Sequence, residues 1–245
     1  MPVAQLKPLP ARSVVLSLLL GSHPDRMSPA QVTRAGEHFG IPASTLRVAL
    51  TRAVAAGDLV REHGDYVLGE RLVARQRRQD EAVEDAGTAW DGDWEMAVVV
   101  VTGRSGAERA TLREKLTTAR LAELREGVWT RPANLGRGPA YAGDPVLATF
   151  RARPDDDPGR LARELWDLRG WAKDGRDLLD QLARTSKPAP RLAVAAHVVR
   201  HLTDDPLLPP ELLPRDWPGA ALREAYAAYQ AELRALTITG PASAR

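Results

Sequence analysis

The sequence contains no cysteine among its 245 residues, which excludes disulfide bonds, thiolate catalysis and cysteine-based zinc or iron–sulfur sites. It also lacks an apolar run near the ~18 residues that cross a bilayer. The longest apolar stretch, Val14 to Leu20, is short and has no cleavage signal after it. These absences predict a cytoplasmic protein with no membrane segment. The remaining composition, 44% hydrophobic and 27% charged, is typical of a globular chain of two or three small domains.

Net charge is also small, at +2 for the whole chain, but it is unevenly distributed. Residues 1–78 contain 11 Lys and Arg against 6 Asp and Glu, so the remainder of the chain carries a charge of −3. An excess of basic residues in one segment is the electrostatic pattern expected where a protein contacts nucleic acid phosphates.

The stretch from Ser28 to Leu68 predicts two helices followed by a short hairpin. Ser28, Pro29 and Gln31 have the types and spacing of an N-cap, a first helical residue and a capping-box partner. Ile41 and Pro42 predict a turn, because a proline disfavours helical geometry in the residue before it. A second helix then runs to about residue 56, and the segments Leu59 to Arg61 and Tyr66 to Leu68 flank a four-residue turn. This order predicts a winged helix-turn-helix.

The second helix has an unusual outer face. At about 100° per residue, its apolar side chains gather on one side, while arginine and hydroxyl side chains occupy the other, with no acid before Asp58. Arginine can form two hydrogen bonds with a guanine edge, hydroxyl groups bind phosphates or base edges, and a valine methyl can contact a thymine methyl. The predicted DNA-binding residues are therefore Ser44, Thr45, Arg47, Val48, Thr51, Arg52 and, at the tip of the wing, His63. The alternative is a winged helix that holds another protein.

The segment 71–89 has basic residues in its first half and acidic residues in its second half, at helical spacing. This pattern predicts a solvated connecting helix or linker. An alternative is that the basic half extends the contact with DNA phosphates.

Residues 90–157 predict a second unit, of α+β type. Trp94 to Val101 is a β-branched run expected to be a strand covered on both faces, and Ala107 to Arg120 has helical periodicity. Strands are expected again at Arg125 to Arg131 and Val146 to Ala152, with a glycine-rich loop between them. The order strand, helix, strand, loop, strand predicts a split βαβ unit.

The last third, residues 158–245, is predicted to be helical, beginning with a helix from Pro158 to Arg169. Residues 205–218 contain five prolines and cannot form one helix. The final helix has an apolar seam whose partner lies either within the chain or in a second subunit. The seam consists of Leu222, Tyr226, Tyr229, Leu233 and Leu236.

A ligand pocket needs apolar walls and a few polar anchors. Trp129 and Arg131 share one face of a predicted strand and could supply a wall and an anion anchor, with Trp94 nearby. His197 and His201 stand one helical turn apart, but no third ligand is apparent, so no metal site is expected.

Several segments, in a fixed order, resemble the PaaX family of transcriptional regulators, which is named for the repressor of phenylacetate catabolism. They are ARSVVLSLLLG, STLRVALTRAVAAGDLVRE, GDWEMAVVV, LREGVWTRPANL and DPLLPPELLPRDWPG. The resemblance implies an α+β protein with a winged helix-turn-helix at 1–70, a connecting helix at 71–89, a central ferredoxin-like domain at 90–157 and a helical C-terminal domain at 158–245.

The resemblance also implies function. Members of the family bind palindromic operators in double-stranded DNA as homodimers, repress catabolic genes and are released by a small effector, in the best-known branch phenylacetyl-CoA. We therefore expect a repressor with no cofactor, whose effector is phenylacetyl-CoA or another acyl-CoA. The alternatives within this class are a regulator without a ligand and an activator.

The central domain of the family is similar to a small CRISPR-associated nuclease, which raises the alternative of a metal-dependent nuclease. Such an enzyme needs a carboxylate near the end of the first strand to hold the metal. The strand here runs into Val101, Thr102, Gly103 and Arg104, none of which is acidic. We therefore expect a protein that is not an enzyme.

Overall fold

The computed structural model describes residues 9–84, 87–136 and 138–238, with side chains through residue 235. Helices and two antiparallel sheets make up these residues, so the predicted α+β class is confirmed. Among the described residues, no helix is both long enough and apolar enough to span a membrane. The elements in chain order are α1 (Ala11–Leu20), β1 (Arg26–Met27), α2 (Pro29–His38), α3 (Ala43–Ala55), β2 (Leu59–Glu62), β3 (Asp65–Leu68), α4 (Glu70–Glu84), β4 (Trp94–Val99), α5 (Gly106–Thr118), β5 (Ala122–Arg125), β6 (Val128–Pro132), β7 (Leu147–Ala152), α6 (Pro158–Leu165), α7 (Leu168–Arg184), α8 (Pro188–Thr203), a 3-10 turn (Pro210–Leu212) and α9 (Gly219–Ile238).

Contacts between the described residues divide the chain into two compact units, and each is assembled from separated segments. Unit 1 comprises Met1–Glu84, Lys173–Asp204 and Pro218–Arg245. Unit 2 comprises Asp85–Ala172 and Asp205–Trp217. The segments of each unit alternate along the chain, so neither unit coincides with one of the predicted domain ranges.

Unit 1 begins with the element order expected of a winged helix-turn-helix. The capping box of α2 is confirmed, because the Gln31 amide donates to Ser28 Oγ at 3.3 Å and the Ser28 amide donates to Gln31 Oε1 at 2.7 Å. Strands β2 and β3 form the predicted hairpin. They are joined by β1, which pairs with β3 and had no signal in the sequence because it is only two residues long.

The rest of unit 1 is helical, and α8 and α9 pack on α4. One face of α4 is buried, so the prediction of a solvated connecting helix is wrong for that face. The buried residues are Leu72, Gln76, Gln79 and Ala82. The Gln76 side-chain amide donates to the carbonyl oxygens of Leu20 and Ser22, each at 3.1 Å, which joins α4 to the end of α1.

The apolar seam of α9 packs inside unit 1. Arg223 of this helix donates to the Ala82 carbonyl oxygen of α4 at 3.0 Å. The buried seam residues are Leu222, Tyr226, Tyr229 and Leu233, while the side chain of Leu236 lies outside the described part. The seam is therefore an intramolecular packing surface.

Unit 2 contains an antiparallel sheet with strand order β5-β6-β4-β7. Helix α5 connects β4 to β5, and β6 lies between these two strands, as the predicted split βαβ arrangement requires. The single strand predicted at Arg125 to Arg131 is wrong. It is a tight hairpin between β5 and β6, which turns at Gly127 where φ is +76°, a value that L side chains disfavour.

Two further boundaries in unit 2 differ from the sequence prediction. The helix expected from Pro158 to Arg169 ends at Leu165, because Trp166 adopts extended geometry and Asp167 accepts a hydrogen bond from the Gly170 amide at 2.9 Å to begin α7. The strand run from Trp94 ends at Val99, and Val100 beyond it is 57% exposed. The end of this run is therefore not buried on both faces, in contrast to the sequence prediction.

Asp58, directly after α3 and its terminal glycine, is only 1% exposed and joins three parts of unit 1. Its carboxylate accepts hydrogen bonds from Arg12 of α1 and, at 2.5 Å, from Arg71 of α4. Its carbonyl oxygen accepts from the Gly69 amide at the end of the wing at 2.8 Å. Burial by itself raises the pKa of Asp58, but the hydrogen bonds and charges of Arg71 and Arg12 outweigh burial, so the pKa lies below its ordinary value.

Replacing Asp58 should therefore destabilise the protein in a pH-dependent way. We expect Asp58→Asn to lower the free energy of unfolding by about 2 kcal/mol at pH 7, the usual contribution of hydrogen bonds to a charged group. Because the folded-state pKa is depressed, this stabilisation is fully present above the unfolded value of about 3.9 and is lost as pH falls through the folded-state pKa. Urea denaturation at a series of pH values measures both effects.

The matched control is Asp180→Asn, whose carboxylate is 70% exposed and pairs with Arg184 on the surface. Exposed pairs of this kind contribute about 0–1 kcal/mol. Equal losses of stability in the two variants, or a loss at Asp58 that does not shrink on acidification, would contradict the assigned role.

Candidate functional site

The outer face of α3 is the most distinctive surface of unit 1. The side chains on the opposite face of the helix, among them Leu46 and Ala53, are buried against the remainder of the unit. This burial leaves the predicted set exposed together, with Val48 at 50% exposure. The set consists of Ser44, Thr45, Arg47, Val48, Thr51 and Arg52.

The Thr51 hydroxyl donates to the Arg47 carbonyl oxygen one turn earlier, at 3.0 Å. The Arg47 and Arg52 side chains lie on the solvent side of the same helix. The structure thus brings two guanidinium groups, hydroxyl groups and one apolar contact onto a single helical surface, the combination that can recognise base edges in a major groove.

The hairpin of β2 and β3 places His63 at its tip. His63 has a positive φ of 50° and Gly64 a φ of 92°, and both residues are exposed. Arg61 donates to the Gly64 carbonyl oxygen at 3.1 Å and to the Tyr66 hydroxyl at 2.9 Å, with its guanidinium 4.6 Å from the centre of the Tyr66 ring. These contacts join the two strands across the turn that carries His63.

The three residues predicted to bind an effector are not brought together. Trp94 pairs with Pro132, whereas Trp129 pairs with Ala97, so Trp94 projects from the face of the sheet opposite to Trp129 and Arg131. Trp94 is 2% exposed and packs in an apolar cluster with residues such as Leu168 and Leu212. It therefore fills a core.

Arg131 is completely buried. Its guanidinium donates to Asn134 Oδ1 at 2.9 Å and to the Leu207 carbonyl oxygen at 3.1 Å, and its Nε donates to the Pro132 carbonyl oxygen at 3.0 Å. These bonds hold the proline-rich segment 205–217 against the sheet. Arg131 is thus an internal brace, whereas Trp129 borders an open cavity.

That cavity is a half-open cleft of about 1030 Å³ beside α5, which we call the α5 cleft. Val99, Leu112 and Trp129 form its apolar floor. The Arg113 guanidinium lies 5.3 Å from the centre of the Trp129 ring and forms a salt bridge of 2.6 Å with Glu123. The charged residues that line the cleft are Arg104, Arg109, Arg113, Glu123, Arg125 and Glu126.

Sequence reasoning did not find the α5 cleft. The available signal was the pair Arg109 and Arg113, four residues apart on a predicted helix, which places both guanidinium groups on one face. Arg104 and Arg125 come from the loop after β4 and from the β5–β6 hairpin, and their convergence with the helix depends on the order of strands in the sheet.

The histidine pair on α8 has no metal-binding surroundings within the described ranges, where no group of three or more His, Asp or Glu side chains could hold an ion. His201 lies near Gly175 of α7. Burial and, to a lesser degree, the charge of Arg200 lower the pKa of His197.

Comparison with known protein families identifies the class to which this protein belongs. One family profile, described as "PaaX-like protein", matches residues 10–72; a second, "PaaX protein central Cas2-like domain", matches 87–139; and a third, "PaaX-like protein C-terminal domain", matches 166–238. These matches cover well over half of the chain and identify a DNA-binding regulator of transcription. The chain belongs to the PaaX family.

A solved structure, "Uncharacterized protein Rv0674 from Mycobacterium tuberculosis", is similar to this chain over 93% of its length and 97% of that protein, with 46% identity and a TM-score of 0.79. No curated protein matches significantly. The similarity in structure extends over both compact units.

The base of the wing is tightly packed around Gly69. Gly69 is buried between β3 and α4, and a Cβ at this position would lie well inside contact distance of the Gly57 carbonyl oxygen at the end of α3. Because that oxygen belongs to the backbone, relief requires α3 and the wing to move apart. We expect Gly69→Ala to lower the free energy of unfolding by about 1–3 kcal/mol, as overpacking does, and denaturant titration measures this.

Gly106→Ala provides the control, since nothing lies within 4 Å of a Cβ built at Gly106 in α5. That substitution should be neutral or stabilise by up to about 1 kcal/mol. Equal stability of the two variants would show that the junction of α3 and the wing is loosely packed.

Proposed function

We propose that this protein is a transcriptional repressor that places α3 in the major groove of its operator. The observation that carries the proposal is the outer face of α3, which is exposed, contains two arginines and three hydroxyl residues, and has no Asp or Glu between residues 43 and 57. An ordinary solvated helix face would mix acidic with basic residues. A face without carboxylates meets no repulsion from phosphates.

Each residue type has a defined role in this proposal. Arg47 and Arg52 form hydrogen bonds with guanine edges and so determine which sequence is bound. Ser44, Thr45 and Thr51 bind phosphates or base edges and fix the register, and Val48 contacts a thymine methyl. His63 at the wing tip lies on the sugar-phosphate backbone.

We further propose that the repressor binds a palindromic operator as a homodimer. Two α3 helices must then lie roughly 34 Å apart, one turn of DNA. The face of the unit 2 sheet that carries Met96 and Val98 supports this, because their neighbour Phe150 on β7 is 55% exposed and Leu124 on β5 is 45% exposed. An apolar sheet face of this kind is suited to burial against its own copy.

Release from the operator is proposed to follow the binding of a small metabolite, with an acyl-CoA such as phenylacetyl-CoA as the first candidate. Such a ligand would favour a dimer whose α3 helices are not spaced to enter the DNA grooves. Because binding at two coupled sites is reciprocal, the ligand then weakens DNA binding by the same free energy by which DNA weakens ligand binding. The α5 cleft supports this part of the proposal because it is large enough for such a ligand.

Arg47→Ala tests the recognition surface. We expect the variant to lose about 1–3 kcal/mol of operator binding and to relax the preference at one base pair, because one two-hydrogen-bond contact with a base is removed. The operator is first obtained by selection from randomised duplex DNA, and fluorescence anisotropy then measures affinity for it and for single-base variants.

Arg184→Ala is the matched control, since Arg184 is 79% exposed on α7 and lies outside the α3 face. It should bind the operator as the wild type does. If Arg47→Ala keeps the full sequence preference, α3 does not read the bases.

Phe150→Asp tests the proposed dimer. A carboxylate on the apolar face of the sheet would be desolvated on association, so we expect the mass in solution to fall from that of a dimer to that of a monomer, with weaker operator binding. Size-exclusion chromatography with light scattering measures the mass. Thr149→Asp, an exposed neighbour on the opposite face of the same strand, should remain dimeric. A dimer in both variants would place the interface elsewhere.

A further inference from the structure

Unit 1 contains a cleft of its own, where α9 packs beside α4. The cleft has a volume of about 370 Å³, and Leu20 at the end of α1 lines one side of it. This volume lies within the range of about 300–1,000 Å³ in which proteins bind small molecules. We call it the α4–α9 cleft. It belongs to unit 1, whereas the α5 cleft belongs to unit 2.

Negative charge is concentrated at one end of the α4–α9 cleft. Asp80 and Glu84 stand one turn apart where α4 ends, and both line the cleft. Among the lining residues that the structure describes, none is Lys or Arg, and His23, 3.3 Å from Asp80, is the one histidine. Like charges one helical turn apart repel each other, and the C-terminal end of a helix carries partial negative charge of its own. A cation bound here would relieve both effects.

The pKa of Asp80 is consistent with this arrangement. Burial raises the pKa above its ordinary value, and the charges of Glu84 and Glu81 raise it further, while His23 acts in the opposite direction. The ionised form of Asp80 is therefore destabilised, and a positively charged group beside it would stabilise that form.

A second, independent feature of the cleft is the side chain of Gln79. It is only 7% exposed and lines the cleft, yet its amide makes no hydrogen bond with any residue in the part of the chain that the structure describes. Buried polar groups in proteins are nearly always hydrogen-bonded, because an unpaired one costs free energy. The Gln79 amide is thus available to a ligand in the cleft.

A smaller chamber of about 30 Å³ adjoins the cleft, because both are lined by Leu20, Gln79, Tyr226 and Gln230. The chamber has room for about one water molecule or one polar group. Tyr229 lines it and is 7% exposed, and its hydroxyl group also has no hydrogen-bond partner among the described residues. The deep end of the cleft therefore offers neutral hydrogen-bonding groups, in contrast to the acidic end.

The lining indicates what kind of cation would bind. No group of three or more His, Asp or Glu side chains in the described ranges could hold a metal ion, so an organic cation fits better. Leu20 and Val83 offer apolar walls to its carbon chain. Gln79 and Glu84 are five residues apart on α4, a rise of about 7.5 Å, which a five-carbon chain between an amine and a hydroxyl group can span.

The walls of the cleft belong to the helices that position α3. Helices α1 and α4 hold Asp58 at the end of α3 through Arg12 and Arg71. Helix α9 packs against α4 and also against α2. A ligand between α4 and α9 would therefore contact elements that support the helix-turn-helix.

We propose that the α4–α9 cleft binds a small organic amine that also carries a neutral polar group. The ammonium group lies between Asp80 and Glu84, the carbon chain contacts Leu20 and Val83, and the polar group hydrogen-bonds to Gln79. A hydroxyl group suits that position because it can both donate and accept. This inference goes beyond the proposed function, which assigns no ligand to unit 1.

Three probes of equal chain length test the chemical class: aminopentanol with its two polar groups at opposite ends, pentylamine and pentanol. Saturation-transfer NMR titrations of the full chain measure their affinities. We expect aminopentanol to bind most tightly, pentylamine about fivefold more weakly for lack of one neutral hydrogen bond, and pentanol most weakly. Affinity for both amines should fall as salt concentration rises, because the carboxylates are partly exposed.

Two substitutions test the location. Glu84→Gln should weaken the binding of both amines by about fivefold, the upper end for a partly exposed ion pair. The matched control is Glu81→Gln, since Glu81 is an exposed carboxylate on the same helix but does not line the cleft, and this variant should bind as the wild type does.

Gln79→Leu tests the deep end of the cleft. It should remove the advantage of aminopentanol over pentylamine and leave the affinity for pentylamine unchanged. Binding of pentylamine by this variant also shows that the variant is folded.

The proposal is overturned if neither amine binds at millimolar concentration, or if pentanol binds as tightly as pentylamine. Equal affinities of Glu84→Gln and Glu81→Gln for pentylamine would place the amine outside the cleft. If aminopentanol keeps its full advantage in Gln79→Leu, the assigned contact with Gln79 is wrong.

Discussion

The burial of one side of α3 fixes the direction in which the other side points. Leu46, Ala49, Leu50 and Ala53 leave water together, and at about 25 cal/mol per Å² their apolar area holds the helix against rotation. A rotation by one residue would expose part of this set and bury Arg47 or Arg52 without a partner, at a cost that a marginally stable domain does not tolerate. The polar face is therefore presented to solvent as a direct result of core packing.

The position of α3 relative to the wing depends on the hydrogen bonds of one buried carboxylate. Asp58 lies where α3 ends, and its buried carboxylate is held by Arg12 of α1 and Arg71 of α4. Helix α4 in turn packs against α8 and α9, from the far end of the chain, through buried residues such as Ala82 and Tyr226. The proposed recognition helix thus shares a folding unit with the C-terminal helices, and a change in their packing would act on it directly.

The sheet of unit 2 has two faces with different surroundings. The face that carries Ala97 and Trp129 packs on α5, and the α5 cleft opens beside that helix. The opposite face carries Met96 and leaves Phe150 exposed. Because the β4 strand contributes alternate residues to both faces, a ligand in the cleft and a partner on the apolar face would bear on the same backbone. This arrangement suits a protein in which ligand binding alters a dimer.

Features that depend on neighbours a few residues away could be predicted from the amino-acid sequence. The capping box of Ser28 and Gln31 and the division of α3 into two faces follow from local geometry and helical period. Features that need partners far along the chain could not be predicted, because they depend on how distant segments pack together. Arg131 became an internal brace because Leu207 accepts its hydrogen bond, and Arg104, Arg109 and Arg125 converge because β6 lies between β4 and β5. Helix and strand periodicity predicts which face of an element a side chain lies on. Its contacts with distant residues depend on how the chain packs.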